Sequence, residues 1–229
     1  MIVRKWEKLP ERIRSEKTRP YYELLRRKTP SLIVKRLFDL LGSSVLIVIL
    51  SPAMLAIALW IRMDSKGPAI FRQKRITQYG RTFEVYKFRT MVSNAEQLGA
   101  QITSGEDSRI TRVGKKLRGL RLDELPQLFN VLEGTMTFVG TRPEVPGYVE
   151  CYSEEMMATL LLPAGITSKA SILFRDESRL LENSSDIHAD YINKVLPKKM
   201  QLNLEALKEF SCIGDMKIML STIKVIFGK

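Results

Sequence analysis

Asp123 and Glu124 are adjacent carboxylates set between basic residues and an apolar stretch. Arg118 and Arg121 stand just upstream, and Arg142 follows in the turn Gly140-Thr141-Arg142-Pro143. A carboxylate in that company is ionised and surrounded by groups suited to phosphate. Two acids together also suit Mg²⁺, which takes one or two carboxylates along with phosphate oxygens of a substrate. The plainer role for Asp123 is that of a helix N-cap with Pro126 in the first turn. The flanking arginines weigh against a cap alone.

Other residues carry weaker signals. Lys87-Phe88-Arg89-Thr90 closes a strand-like segment and places Lys87 and Arg89 at a sheet edge, where they face either an anion or solvent. Gly165-Ile166-Thr167, after Pro163, has the look of a tight turn whose amides could face an anion. His188, the single histidine, has no metal-ligand companion and reads as structural. Cys151 and Cys212 lack paired metal-type spacing, which fits a reducing cytoplasm and two ordinary half-buried thiols. No Walker loop, dinucleotide-binding glycine pattern or serine–histidine arrangement is present in the sequence.

The elements that must position these groups follow from periodicity. Ala69 to Arg75 and Thr82 to Phe88 alternate around Gln78-Tyr79-Gly80, which predicts a β-hairpin. Helices are expected over Ser93–Ala100, Val113–Leu120, Glu124–Leu132 entered through Asp123, Glu144–Tyr152, Glu154–Leu162, Ile187–Leu196, Lys198–Phe210 and Asp215–Phe227. A polar loop is expected over Thr103–Ser108. The fold class is α/β and helix-rich, with amphipathic surface helices and a small hairpin or sheet.

Leu37 to Ile61 is one long apolar run. As a straight helix, Leu40 to Ile61 would be about 33 Å long, enough to cross a bilayer core of about 30 Å. Ser51-Pro52 at the midpoint argues otherwise, because Pro52 lacks an N–H and its ring crowds the Val48 carbonyl. Basic residues lie on both flanks: Arg26, Arg27, Lys28, Lys35 and Arg36 before, Arg62, Lys66, Arg72, Lys74 and Arg75 after. A straight crossing would send one cluster to the wrong face, whereas a helix broken at Ser51-Pro52 that returns keeps both in the cytoplasm. Hydroxyls of Ser43, Ser44 or Ser51 would then satisfy freed carbonyls. The residues alone leave the kinked span and the hairpin both open.

Three segments result: a basic extension over 1–31, a membrane segment over 32–62 and a catalytic domain over 63–229. The extension reads as a headgroup-lying helix over Pro10–Lys28 or as a tail. The last segment is long enough for one core and too short for two. A single apolar run excludes a polytopic transporter, and its position past residue 35 excludes a signal peptide. A formal net charge of +12 implies a polyanionic partner: anionic lipid, phosphorylated substrate or nucleic acid. A non-catalytic membrane-anchored scaffold binding lipid or nucleic acid is the alternative from another class; carboxylates set among the arginines disfavour it.

The motifs occur in a specific order: Lys35-Arg36-Leu37-Phe38-Asp39, Ser51-Pro52, Tyr86-Lys87-Phe88-Arg89-Thr90-Met91, Arg118, Leu122-Asp123-Glu124-Leu125-Pro126-Gln127-Leu128-Phe129-Asn130, Val139-Gly140-Thr141-Arg142-Pro143 and Gly165-Ile166-Thr167. Across residues 33–227 the chain resembles the bacterial sugar transferases, the monotopic polyprenyl-phosphate phosphoglycosyl transferases of the small catalytic-domain type. The resemblance implies transfer of a sugar 1-phosphate from a UDP-sugar to a polyprenyl phosphate with release of UMP. That is the first membrane step of exopolysaccharide, lipopolysaccharide or other glycoconjugate synthesis.

It further implies a helix broken at Ser51-Pro52 that re-enters the bacterial inner membrane, leaving the catalytic domain on the cytoplasmic face. Implied partners are the UDP-sugar, the polyprenyl phosphate, phospholipid and a second copy as homodimer, with no nucleic acid; the implied cofactor is Mg²⁺. By position, Asp123 matches the nucleophile and a metal ligand, and Glu124 the second acid. Lys87, Arg89, Arg118, Arg142 and Arg175 match groups near phosphate or nucleotide.

The chain departs from the family in three places. Thr141 stands where Gly-Pro-Arg-Pro is usual, Pro163-Ala164-Gly165-Ile166-Thr167-Ser168 replaces Pro-Gly-Ile-Thr-Gly, and Ser171-Ile172-Leu173-Phe174-Arg175 replaces Gln-Val-X-Gly-Arg. These bear on sugar choice and on the role of Arg175, and leave the acid pair intact.

Overall fold

The structure is a computed structural model that describes residues 1–92, 95, 107–175 and 186–227, the side chains of 226 and 227 excepted. The helix expected over Ser93–Ala100 and the loop over Thr103–Ser108 lie almost wholly outside those residues. The helix-rich α/β fold is as expected, and the described strands form two separate pairs.

The hairpin forms where alternation placed it. β1 (Ile70–Ile76) pairs antiparallel with β2 (Thr82–Phe88), Ile76 opposite Thr82 and Phe71 opposite Lys87. The turn holds Tyr79 at φ 62° and Gly80 at φ 74°. The second pair went unread: β3 (Met136–Val139) runs parallel to β4 (Ala164–Thr167). All four β3 residues are buried, so the segment has no period-two pattern. Gly165-Ile166-Thr167 is therefore strand, not an anion-facing turn, and its Gly165 N–H donates to the Thr141 carbonyl at 2.8 Å.

Helix α1 spans Arg19–Arg27 and α2 spans Thr29–Asp64, 36 residues. The expected break is not a break in the helix, which continues through Ser51 and Pro52. The reason is local repair. Pro52 cannot bond the Val48 carbonyl, and the Ser51 hydroxyl donates to that oxygen at 2.8 Å instead.

Both ends of α2 are tied to the same body. Near its start Lys35 Nζ donates to the Val139 carbonyl at 2.9 Å and pairs with Asp215 at 2.6 Å. Asp39, 1% exposed, accepts from Thr137 Oγ1 at 2.7 Å and the Phe138 N–H at 3.1 Å. At its end Asp64 accepts from the Val113 N–H at 3.2 Å. Leu46 and Ile47 before Pro52, and Met54 and Ile61 after it, pack onto the domain, while Val45, Val48, Ile49, Leu55 and Leu59 stay exposed.

The extension is neither a tail nor a separate headgroup helix. Val3, Leu9, Ile13, Tyr21, Tyr22 and Leu25 are buried in one core with Leu161, Leu196 and Met200. Its only α-helix is α1; before that the chain turns twice in 3₁₀ form at Trp6–Lys8 and Glu11–Ile13.

Helix α3 is Arg112–Gly119 and α4 is Gln127–Glu133. A separate 3₁₀ turn, Leu122–Glu124, precedes α4, so the acid pair sits ahead of the helix and Pro126 takes the cap position. Helix α5 is only Pro146–Glu150, and Met156–Leu161 is 3₁₀ rather than α. Helix α6 (Lys169–Leu173) follows β4. Helix α7 (Ile187–Asp190) runs through a π turn at Tyr191–Val195 into α8 (Leu196–Lys208), and α9 is Cys212–Phe227. The π turn lies just before Pro197, which cannot donate to a carbonyl one turn back.

One glycine decides where α3 sits. A Cβ on Gly114 would lie 2.1 Å from the Thr90 carbonyl oxygen, so only glycine lets α3 press against the end of β2. Gly114→Ala is expected to destabilise the protein by about 3 kcal/mol, at the upper end of overpacking costs. Gly119→Ala, with nothing within 4 Å of the added carbon, is expected to be neutral or slightly stabilising. Melting temperatures of the two variants in detergent check the pair.

Candidate active site

The end of β2, the 3₁₀ turn before α4 and the turn after β3 converge on the acid pair. Asn130 on α4 fastens two of them: its Oδ1 accepts from the Tyr86 N–H at 2.9 Å and its Nδ2 donates to the Glu84 carbonyl at 2.8 Å. The side chain is fully buried, so its amide fixes how α4 lies against β2.

Glu124 and Asp123 are treated in opposite ways. Glu124 Oε1 accepts from Arg142 Nη2 at 2.6 Å and Lys87 Nζ at 3.1 Å, and Oε2 lies 3.3 Å from Arg142 Nη1. Burial alone would push this carboxyl up; Arg142 and Lys87 together overcome that and hold it well below the usual range. Asp123 is 9% exposed, and its Oδ1 is buried with no hydrogen-bond partner among the described residues. Burial, then the Glu124 charge, raises its pKa, while Lys87, Arg118 and Arg121 pull the other way. The N-cap reading of Asp123 therefore fails: no side-chain cap bond forms at this helix start.

The remaining candidates divide. Arg118 Nε donates to Thr90 Oγ1 at 2.9 Å, and its charge is felt at Asp123. Burial lowers the Lys87 ammonium pKa, against the pull of Glu124. Arg89 is placed elsewhere. Buried at 5% exposure, it donates to the Ser65 carbonyl at 2.7 Å and to Ser65 Oγ at 2.9 Å, which ties β2 to the end of α2. Arg175 donates to the Val225 carbonyl on α9, and its own carbonyl accepts from Arg121 at 3.3 Å; among the described residues its tie to the site is through that backbone oxygen and not its guanidinium. Ser51 and Pro52 lie in α2, outside the cluster.

Arg121, which the sequence already set beside the acids, and Arg75, which it gave only as a membrane flank, complete the cations of the site. Arg121, next but one to Asp123, adopts φ 56°, a left-handed conformation uncommon for a side chain of its size. Arg75 donates to Gln73 Oε1 at 2.8 Å and to the Pro143 carbonyl at 3.3 Å, within electrostatic reach of Arg142 and Glu124. A signal existed for Arg75. Phe71, Gln73 and Arg75 share the less exposed face of β1, and two polar residues on such a face ask for partners.

The arrangement presents one buried, unengaged carboxylate oxygen amid cations, beside a second carboxylate already locked. No cluster of three or more His, Cys, Asp or Glu gathers among the described residues. A divalent cation here would lean on Asp123 and on substrate oxygens, a donor set that suits Mg²⁺.

Comparison with known proteins agrees with the motif order. The chain is 36% identical over 201 residues to a UDP-N-acetylgalactosamine-undecaprenyl-phosphate N-acetylgalactosaminephosphotransferase of Aeromonas hydrophila, covering 84% of this chain and 43% of that protein. It is 36% identical over 207 residues to an undecaprenyl-phosphate glucose phosphotransferase of Komagataeibacter xylinus, covering 84% of this chain and 36% of that protein. An Escherichia coli UDP-glucose:undecaprenyl-phosphate glucose-1-phosphate transferase is 35% identical over 196 residues, covering 83% and 39% respectively. The chain thus spans less than half the length of these relatives. The model of the bacterial sugar transferases matches residues 30–229, which takes in all of α2 but Thr29, the hairpin, the acid pair and every cation around it. With that match over nearly the whole chain, the protein belongs to the bacterial sugar transferase family.

Proposed function

We propose that the protein is a phosphoglycosyl transferase. It moves a sugar 1-phosphate from a UDP-sugar to a polyprenyl phosphate, undecaprenyl phosphate in bacteria, through a covalent intermediate on Asp123. The observation that carries this reading is the buried Asp123 Oδ1, without a partner among the described residues and flanked by cations. The relatives' names, all undecaprenyl-phosphate sugar phosphotransferases, support the substrate class.

In the first step an Asp123 oxygen forms a bond to the β-phosphorus, and the bond from that phosphorus to the bridging oxygen breaks. UMP leaves with the electron pair. In the second, an oxygen of the polyprenyl phosphate bonds to the same phosphorus and the carboxylate departs. Neither step requires a proton, since both nucleophiles are ionised. A carboxylate whose pKa is raised by burial is the more basic and the stronger nucleophile once ionised. Arg118 and Arg121 supply positive charge where the phosphoryl oxygens gather it, in a site whose burial strengthens that interaction. Glu124 does not attack; it holds Arg142 and Lys87 in place. Mg²⁺ bound by Asp123 and diphosphate oxygens would offset charge on the diphosphate and on departing UMP.

The membrane placement has its own support. Both ends of α2 bind one body, and limbs on either side of Pro52 pack on it. A helix so held enters and leaves on one face with its exposed apolar residues in lipid, which keeps Asp123 level with an acceptor's phosphate at the headgroups. That face is the cytoplasmic one of the inner membrane, where both basic flanks are favoured.

Initial rates at varied donor and acceptor test the two-step scheme. Parallel double-reciprocal lines are expected, with UMP release on donor alone. Intersecting lines and no UMP without acceptor would mean direct transfer, with Asp123 serving only the metal.

A further inference from the structure

Behind the Arg142 turn lies a second set of buried charges that the transfer chemistry does not use. Glu144 Oε1 accepts from the Tyr191 hydroxyl at 2.6 Å and from Lys199 Nζ at 3.1 Å, and Lys199 Nζ lies 2.8 Å from the same hydroxyl. The Lys199 and Glu144 side chains are each 7% exposed. The Glu144 carbonyl accepts from the Ile76 N–H at 3.0 Å, which fastens it to β1 as well. Its neighbour Pro143 is held by Arg75.

The turn is thus pinned on both sides of Arg142. Gly140 donates to the Thr167 carbonyl at 2.9 Å and Thr141 accepts from Gly165 at 2.8 Å, so β4 secures the residues before it. Arg75, Tyr191 and Lys199 secure those after it. Arg142 is the residue between, and its guanidinium reaches Glu124.

Stability does not call for such a cluster. A buried ion pair is commonly no more stabilising than apolar side chains of equal volume, because both charges lose water. The helix that supplies it also departs from α geometry at that place. Positions eight apart on an α-helix differ by about 80° in direction. The wider π turn at Tyr191–Val195 absorbs that offset, so Tyr191 and Lys199 point at one oxygen. Inserted π turns recur at functional sites.

We propose that Tyr191 and Lys199 are positioning residues for Arg142: by fixing Glu144 they set the turn that delivers the guanidinium to the Glu124 carboxylate. The kinetic readout rests on the transferase reading above; a spectroscopic readout does not. Lys199→Met and Tyr191→Phe are compared with Lys194→Met, a control that removes the pair between exposed Lys194 and half-buried Asp190 on the same helix run. The first two are expected to lower kcat about 10- to 100-fold, the scale of a small misplacement of a charged group. In an Arg142→Gln background, Lys199→Met is expected to change kcat by less than about twofold, since coupled residues are not additive. Full, additive losses in both backgrounds would overturn the proposal.

The second readout is the Arg142 Nε–H resonance of ¹⁵N-arginine protein, assigned by its loss in Arg142→Gln. It should move in Lys199→Met and Tyr191→Phe and stay in Lys194→Met; an unmoved line in the first two overturns the proposal. Tyr191→Phe keeps the ring and carries both arms if Lys199→Met does not fold. If no donor supports turnover, the transferase reading fails and the resonance alone decides this one.

Discussion

Asp123→Asn is expected to lower turnover by on the order of 10⁴-fold or more while raising the melting temperature. The two effects have one cause. The native carboxylate is buried beside Glu124, and its Oδ1 has no partner among the described residues, so its charge is held at a cost. An amide of the same shape removes the charge and keeps the volume. A gain of about 0.5–2 kcal/mol is the usual scale when a strained functional group is made innocuous. At this chain length that is a rise of about 1–8 °C. The gain also depends on pH in a defined direction. A carboxyl with a raised folded pKa weakens the native state once it ionises, so the advantage of Asn is absent below the ordinary carboxylate pKa of 3.8 and grows as pH rises through the raised value. Thermal melts of both proteins from pH 4 to 8 check it: a gap that shrinks toward neutrality would contradict the burial argument.

Glu124→Gln is expected to do the reverse to stability while also costing activity. Its carboxylate is the shared acceptor for Arg142 and Lys87, whose side chains are 33% and 21% exposed. Removing the anion leaves two cations facing each other with partial access to water. The cost is about 2 kcal/mol, below the 3–5 kcal/mol of a fully buried pair that loses one member. Because Glu124 is held well below its ordinary pKa of 4.5, its contribution is complete above that value and is lost as pH falls through the depressed folded value. The stability gap between wild type and Glu124→Gln should therefore close only in strong acid. Turnover should fall by about 10²-fold as Arg142 and Lys87 lose their fixed positions. The acid limb of the rate profile should move to lower pH, since the Glu124 charge is one of the causes that raise Asp123. Chemical denaturation across pH, together with kcat/KM profiles, measures both effects.

The acid pair and its arginines were legible because charge type and adjacency are visible in a string of residues. The division of labour within the pair was not. Glu124 is engaged and Asp123 left open because Lys87 ends β2 and Arg142 ends the turn after β3, a meeting that only tertiary structure defines. The hairpin was legible from alternation and from Gln78-Tyr79-Gly80. The β3–β4 pair was not, since β3 is buried throughout and its parallel partner lies far along the chain.

Lys35 and Arg36 read as basic flanks of a membrane segment. They prove also to be anchors: Lys35 on the Val139 carbonyl, Arg36 on the Val131 and Leu132 carbonyls at the end of α4. The basic extension hid its role because Val3, Leu9 and Ile13 are spaced by 3₁₀ turns and follow neither period, while the helical face of Tyr21, Tyr22 and Leu25 is short. Arg89 shows the opposite error. Its place in a cationic motif suggested phosphate, while burial and the Ser65 and Pro68 carbonyls assign it to holding the end of α2.

The central claim is that Asp123 is the nucleophile. Protein in nanodiscs is incubated with Mg²⁺ and a panel of UDP-sugars without acceptor, quenched in acid, and digested for mass spectrometry. For at least one donor, a peptide containing Asp123 is expected to be heavier by one sugar phosphate. One UMP should be released per adduct, and the adduct should disappear when polyprenyl phosphate is added before the quench. A donor that supports full turnover yet leaves that peptide unmodified, or places the adduct on another residue, would contradict it.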